Sequence, residues 1–461
     1  MRFLHLRPLI SSSVVLLSIV LSCAATAGQK VDIYRADALV TSQSESERNN
    51  AARAMLGELV VRVSGQRSAL NHPAIKAARP KAQNYLFGFS YKSSSEKITV
   101  DGKTVPAMGL QLDYAPQAIE KLLRESQLPL WPATRPTVLV WLVIKDANGL
   151  RMVPEVGDLQ AMQSQAKYRG LPLRFPKTDG ALSLGSEDLW ALNLEKIKEA
   201  SLAYKADAVL VGRYTPSSMG PLPAFQEAGV LESEGSTQSA APANEASLSI
   251  ESADASLDAA PVDQGPWVSD WQLLHAESQQ VFTDETPEVK GLLVSAIDQA
   301  ADYFANQYAI MPSGQGPQAI VLSVGNVTSF GAFKQIQAYL DDLAMVQRME
   351  VIRVNSEGLL VRLTTEGDAR LLINTLALGR RLAPVQSDSL ADAPVTAVVA
   401  DQTPAAPVDS SIDAEALAEL ERALANEQLF DTTAEQPAPA TMAAPVVVGT
   451  VDNPLMYVWQ K

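Results

Sequence analysis

One ten-residue stretch sets the main constraint on how this chain can fold. Residues 135–144 begin with Arg135 and Pro136, and the eight residues from Thr137 to Ile144 carry hardly a polar atom. A strand this apolar must be covered on both faces, so the stretch predicts the central strand of a helix-covered sheet. A buried helix segment is the alternative, but the β-branched residues within it and the turn-like residues 146–149 after it favour a strand.

The surrounding elements predict an α/β (α+β) fold, in which a mixed sheet is covered by helices. A second strongly apolar strand is predicted at 206–214, and residues 267–275 alternate as an antiparallel strand. Two buried strands with helices between them are typical of a mixed α/β layer with an antiparallel flank. Residues 28–311 are therefore predicted to form one domain, with subdomains 28–134 and 135–311 as the alternative.

A second, smaller domain is predicted beyond the Pro- and Gly-rich residues 312–317. Residues 318–385 give the order strand, helix, strand, strand, helix, which is one strand short of a ferredoxin-like βαββαβ unit. Either residues 381–385 or the C-terminal residues 454–461, with an apolar core at 455–459, can supply the missing strand. The C-terminal segment is preferred, because its apolar and aromatic side chains would otherwise be exposed.

The acidic charge of the chain is concentrated in two segments. The formal net charge is −15. Residues 216–265 contain eight acids and no bases, and residues 386–453 contain twelve acids against Arg422 alone. Both segments have too little apolar mass to order themselves, so they are predicted to be a disordered acidic insert and a disordered acidic tail. The acidity therefore says little about a binding face.

The N-terminus has the pattern of a secretory signal peptide. Basic residues are followed by the apolar residues 9–21 and by the small residues Ala25, Thr26 and Ala27, which predicts export to the periplasm with removal of residues 1–27. Cys23 gives the alternative of an outer-membrane lipoprotein, acylated at this cysteine. No later segment approaches transmembrane length, so no span is expected in the mature chain.

No local motif predicts a catalytic, cofactor or metal site. One cysteine and three histidines argue against the usual zinc and iron–sulfur sites, and neither a glycine-rich phosphate loop nor a nucleophile elbow occurs. Ser94 and Lys97 match the S-x-x-K spacing of serine acyl enzymes, but a solvated turn is the preferred interpretation. His275 is interpreted as a histidine at the edge of the core, and Trp267 with Trp271 as core aromatics.

The densest basic run is the main candidate binding surface, and an aromatic surface of Tyr214, Trp267 and Trp271 is the alternative to their packing in the core. The basic run comprises Arg62, Arg67, Lys76, Arg79 and Lys81. A solvated helical face is one interpretation, and a patch for an anionic envelope partner, such as lipid headgroups or a cell-wall polymer, is the other. Nucleic acid is not an expected partner of an exported, mostly acidic chain.

Several short segments resemble a proteobacterial family of exported proteins, classified as a domain of unknown function, over residues 31–308. They are Tyr34, then residues 61–65, 128–131, 135–136, 138–141 and 206–212. The resemblance implies a periplasmic or envelope location and supplies no catalytic residues. Residues 206–308 are also similar to small α/β modules of outer-membrane assembly lipoproteins, and residues 318–385 to cell-wall-binding βαββαβ domains.

These observations predict a non-enzymatic envelope protein, which acts as a binding or scaffolding module for a protein complex or the cell wall. A periplasmic hydrolase with a non-local active site is the alternative. A pocket with converging polar groups and perturbed acids would favour the hydrolase.

Overall fold

The computed structural model describes residues 28–100, 102–153, 159–176, 184–223, 265–312, 316–355, 358–385, 449–451 and 453–460. In these ranges the chain has the predicted mixed α/β fold, with helices packed on several sheets. The predicted signal peptide, Cys23 and most of the acidic insert and tail lie outside the described residues.

The first part of the chain is a three-stranded antiparallel sheet covered by helices. Its elements are β1 (Gln29–Lys30), β2 (Arg35–Val40), α1 (Glu45–Ser64), α2 (Pro73–Ala78), β3 (Leu86–Val100), β4 (Lys103–Tyr114) and α3 (Pro116–Glu125). Short 3-10 turns at Arg67–Asn71 and Arg79–Tyr85 flank α2. The sheet order is β2-β4-β3. Helix α1 begins at the Ser44 cap and ends at Gly65, whose φ of 73° is a left-handed conformation that glycine adopts easily.

The central sheet is built around the apolar stretch at residues 137–144. Its elements are β6 (Val138–Asp146), β7 (Gly149–Met152), α4 (Gln160–Arg169), β8 (Leu173–Arg174), α5 (Ser186–Trp190), α6 (Leu194–Ser201), β9 (Ala208–Pro216), β10 (Trp267–His275), β11 (Ser278–Thr286) and α7 (Val289–Tyr308). Just before β6, β5 (Thr134–Arg135) pairs with β1 in a separate two-stranded sheet. The strand order is β11-β10-β9-β6-β7, and β8 also pairs with β6. Strands β6 and β9 are parallel.

Alternate side chains of β6 enter two different cores, which is why the strand is apolar on both faces. Val140 and Leu142 pack with α4 and α7 on one side. Trp141 and Val143 pack with α5 and α6 on the other. The prediction of a central strand with both faces covered is confirmed.

The last part of the chain is a five-stranded sheet with two helices. Its elements are β12 (Gln318–Gly325), α8 (Phe330–Asp341), β13 (Val346–Asn355), β14 (Gly358–Thr365), α9 (Ala369–Gly379), β15 (Leu382–Pro384) and β16 (Leu455–Trp459). The strand order is β13-β14-β12-β16-β15. Both candidate strands are therefore used. The preferred one, β16, pairs in parallel with β12, and β15 pairs with β16 at the outside. The sheet therefore has one strand more than the four-stranded ferredoxin-like unit that was predicted, and that detail of the prediction is not confirmed.

Two further elements differ from the sequence interpretation. Ser94 and Lys97 lie within β3 rather than in a turn, at a register shift of the β3–β4 ladder. The acidic insert begins later than predicted, because Pro216 is the last residue of β9.

Candidate functional site

A completely buried arginine joins the first part of the chain to the central sheet. The five N–H groups of Arg135 donate five hydrogen bonds, all to backbone carbonyls: those of Arg62, Trp131, Pro132, Arg169 and Gly170. Its guanidinium also lies 3.8 Å from the Trp131 ring centroid. Burial, together with the charges of Arg62 and Arg169, lowers the pKa of Arg135 well below its ordinary value. Every donor is used on backbone, so Arg135 is an architectural residue.

A second arginine beside it is neutralised by two carboxylates. Arg169 donates to Asp298 at 2.6 Å and to Asp302 at 2.5 Å, both on α7. It also donates to the Gly65 carbonyl at 2.8 Å. Arg67 reaches the same two carboxylates, at 3.0 and 3.2 Å. We call Arg135, Arg169 and their partners the arginine junction, because they tie α1, α4 and α7 together.

The five residues of the predicted basic patch have different surroundings. Arg62 is buried, pairs with Glu58, and donates to the carbonyls of Arg35 and Tyr168. Arg67 is tied to α7, as described above. Lys76, Arg79 and Lys81 are exposed on α2 and the turn that follows it. The structure therefore brings three of the five to one accessible region, and their binding to an anionic partner stays a prediction.

A cleft with polar lining lies at the carboxyl ends of the parallel strands β6 and β9. This strand-end cleft has a volume of about 860 Å³. Its apolar lining includes Ile144 of β6, Tyr214 of β9, Trp267 of β10 and Leu293 of α7. The carboxyl ends of parallel strands are the usual position of ligand sites in open α/β sheets.

Hydrogen-bond donors surround the apolar lining of the cleft. Lys290 and Arg151 supply positive charge, and Gln160 and Ser164 supply neutral polar groups. Gln160 is the first residue of α4, and Lys290 is the second residue of α7. Two helix N-termini, which carry partial positive charge, therefore face the same cleft.

The carboxylate of the cleft is already paired. Asp146 is the one acidic side chain among the described lining residues. Its Oδ1 accepts from Arg151 and from the Asn148 N–H, each at 2.8 Å. Burial alone would raise the pKa of Asp146, but these hydrogen bonds outweigh it and lower the pKa below its usual value. Asp146 is therefore ionised at neutral pH and serves poorly as a general acid or base.

The other perturbed groups have structural explanations. Both ring nitrogens of His275 contact tyrosine hydroxyls, Tyr303 at 3.2 Å and Tyr308 at 3.0 Å, and burial lowers the pKa of His275. Burial raises the pKa of Asp207, although its carboxylate accepts from the Thr137 N–H and from Arg380. These residues hold elements together at the edges of the central sheet.

Sequence reasoning missed the strand-end cleft and the arginine junction. The cleft is formed where α4 lies beside α7. Helix α4 has few apolar residues, so its sequence does not predict a helix before Gly170. The junction joins Arg169 to Asp298, which is 129 residues away, and no local pattern links such partners. Trp271 is fully buried, as expected of a core aromatic, whereas Trp267 lines the cleft.

Residues 27–132 match a family model described as a domain of unknown function, DUF8605. The match contains Tyr34 and residues 61–65 and 128–131 of the resemblance noted in the sequence. Residues 135–136, 138–141 and 206–212 lie beyond it. No curated protein and no solved structure matches the chain.

The arginine junction gives a physical reason for the short segments that the match contains. The Arg62 carbonyl accepts from Arg135, the Val63 carbonyl accepts from the Trp131 N–H, and the Gly65 carbonyl accepts from Arg169. A Cβ at Gly65 would lie 2.5 Å from Ala305, so no larger residue fits there without a shift. The segment at 61–65 is thus the surface by which the matched domain is held to the central sheet.

Two further observations concern the described residues only. None of their helices is long and apolar enough to cross a membrane. Within the same ranges, no three histidine, cysteine or acidic side chains converge as a metal site.

Proposed function

We propose that this protein is an exported, non-enzymatic binding module of the cell envelope, and that it holds an acidic partner in the strand-end cleft. The observation that carries the proposal is the charge of the cleft. Lys290 and two helix N-termini face it, whereas Arg151 and the one described carboxylate, Asp146, pair with each other. Such a site favours a ligand with a carboxylate and apolar groups, such as an acidic protein segment or a peptide stem of peptidoglycan.

The same observation supports binding over hydrolysis. A hydrolytic site requires a nucleophile or activated water next to a base of suitable pKa. Among the described residues that line the cleft, Ser164 and two tyrosines carry a hydroxyl group. No hydrogen bond between described residues joins Ser164 to Asp146 or to a histidine. The polar groups of the cleft are arranged as donors to a bound acceptor.

Co-sedimentation and affinity capture test the proposal. The chain is incubated with purified peptidoglycan sacculi, and separately used to capture proteins from solubilised envelopes for mass spectrometry. We expect one specific partner, and we expect Lys290→Glu to reduce its binding about tenfold, because the change removes a charge-assisted hydrogen bond and adds repulsion. Lys334→Glu, on the exposed face of α8, is the matched control.

Two results would contradict this function. If Lys290→Glu and the unmodified chain bind the partner equally well, the cleft is not the binding site. Release of soluble fragments from the sacculi would favour the hydrolase. Export is tested separately by the intact mass of the periplasmic protein: a start at Gly28 supports signal cleavage, and an acylated start at Cys23 supports the lipoprotein.

A further inference from the structure

The segment from residue 48 to residue 92 has an unusual charge balance. It contains eight basic residues and a single acid, Glu58. Arg62 forms an ion pair with Glu58, and Arg67 forms one with Asp298 of α7. Six basic side chains remain that form no ion pair in the described part of the chain. Lys92 donates a hydrogen bond to Gln111, and the other five are exposed or half-exposed. They are Arg48, Arg53, Lys76, Arg79 and Lys81.

Two phenylalanines of the same segment are exposed. Phe87, at the start of β3, is 84% exposed, which is the highest value among the large hydrophobic residues that the structure describes. Phe89 is 48% exposed, and the Arg48 guanidinium lies 4.5 Å from its ring centroid. An isolated exposed apolar residue needs no explanation, but aromatic rings that adjoin a cluster of unpaired cations do.

Two contacts link members of this set. The Arg79 Nε donates to the Arg53 carbonyl, which places the turn after α2 against α1. Arg53 follows Arg48 by five residues, so it lies about 7.5 Å further along α1 and on the other flank of its exposed face. Arg48 in turn covers Phe89. We call these seven residues the basic–aromatic surface: Arg48, Arg53, Lys76, Arg79, Lys81, Phe87 and Phe89.

We propose that the basic–aromatic surface docks on the interface of an anionic phospholipid bilayer. Lipid phosphates pair with the cations, and the phenyl rings enter the boundary between headgroups and acyl chains. A soluble polyanion would satisfy the cations but would leave Phe87 in water, so the exposed ring favours the bilayer. This surface lies in the DUF8605-matched segment and shares no residue with the strand-end cleft.

Vesicle co-sedimentation of the full chain tests the inference. The vesicles are pure phosphatidylcholine, or phosphatidylcholine with one quarter phosphatidylglycerol, each at 0.1 M and about 0.5 M salt, where screening lengths are roughly 10 Å and below 5 Å. We expect binding to the anionic vesicles that is lost at the higher salt. Lys76→Gln with Lys81→Gln should weaken it roughly 25-fold, since each basic residue near such a surface contributes about fivefold.

Aromatic variants separate a bilayer from other partners. Phe87→Ser should weaken vesicle binding at least fivefold, whereas Phe330→Ser, at a residue of 73% exposure on α8, should not change it. Lys290→Glu should also leave vesicle binding intact, so a failure of the cleft proposal is distinguishable from a failure of this one. Circular dichroism of each variant controls for folding.

Three outcomes would overturn the inference. Equal binding to neutral and anionic vesicles would point to a lipid anchor. Loss with the lysine variant but not with Phe87→Ser would indicate a soluble polyanion. Absence of binding to the anionic vesicles at low salt would mean that the surface is only solvated.

Discussion

Replacing Arg135 by lysine should destabilise the protein although the charge is kept. Arg135 is 0% exposed, and its guanidinium donates hydrogen bonds to five backbone carbonyls. A lysine ammonium has three donors, so at least two carbonyls lose their partner. At roughly 1–3 kcal/mol for each buried polar group left unsatisfied, the change costs about 2–6 kcal/mol. Weaker stacking on Trp131 adds to this cost.

Urea denaturation followed by circular dichroism and by tryptophan fluorescence measures this loss. With a denaturant dependence of about 3 kcal/mol per molar urea, the midpoint of Arg135→Lys should fall by about 1 M. Arg353→Lys, at an exposed position on β13, is the matched control and should stay within about 0.2 M of the unmodified chain. A midpoint of Arg135→Lys that also stays within that margin would refute the view that the five hydrogen bonds hold the junction together.

Three other changes test the packing and the titration of the fold. Gly212→Ala should cost about 1–3 kcal/mol in the same assay, because its Cβ would overlap the Trp271 indole on the neighbouring strand. Gly88→Ala, with open space around it, should be nearly neutral. Burial lowers the pKa of His275, so as the pH falls the unfolded chain binds a proton at this histidine before the folded chain does. The free energy of unfolding should therefore fall as the pH drops below about 6.5. In His275→Gln this part of the pH dependence should be missing when urea midpoints at pH 7.5 and pH 5 are compared. Trp459→Ala should cost about 3–5 kcal/mol, and Met456→Ala, on the same strand but 49% exposed, less than about 1 kcal/mol; equal effects would contradict the burial of β16.

The parts of the fold that the sequence predicts well are those with local signals. Residues 267–275 alternate and form β10 over that range. Ser44 and Gly65 mark the two ends of α1 because each satisfies backbone groups of the terminal turns. The apolar stretch after Pro136 becomes an interior strand of the sheet, because such a position has helices on both faces.

The candidate sites depend on partners that are distant in sequence. Arg62 and Arg67 belong to a basic run in the chain, yet Arg67 meets Asp298 across 231 residues. Conversely, Arg48 joins the accessible surface through Phe89, and neither residue belongs to that run. The apolar pattern of α4 is too weak to predict a helix. Without α4, the sequence gives no second helix beside α7, and the strand-end cleft cannot be predicted.

The position of β16 has a consequence for biosynthesis. The strand lies between β12 and β15, and the Asn326 side chain after β12 donates to the Trp459 carbonyl across 133 residues. Until β16 pairs with it, β12 has an open edge at Leu322 and Val324, whose partners are Leu455 and Tyr457 of β16. Such an edge can pair with a strand of another chain, and its closure over so long a separation is slow. Before β16 docks, the folding chain is therefore exposed to pairing between copies along this edge.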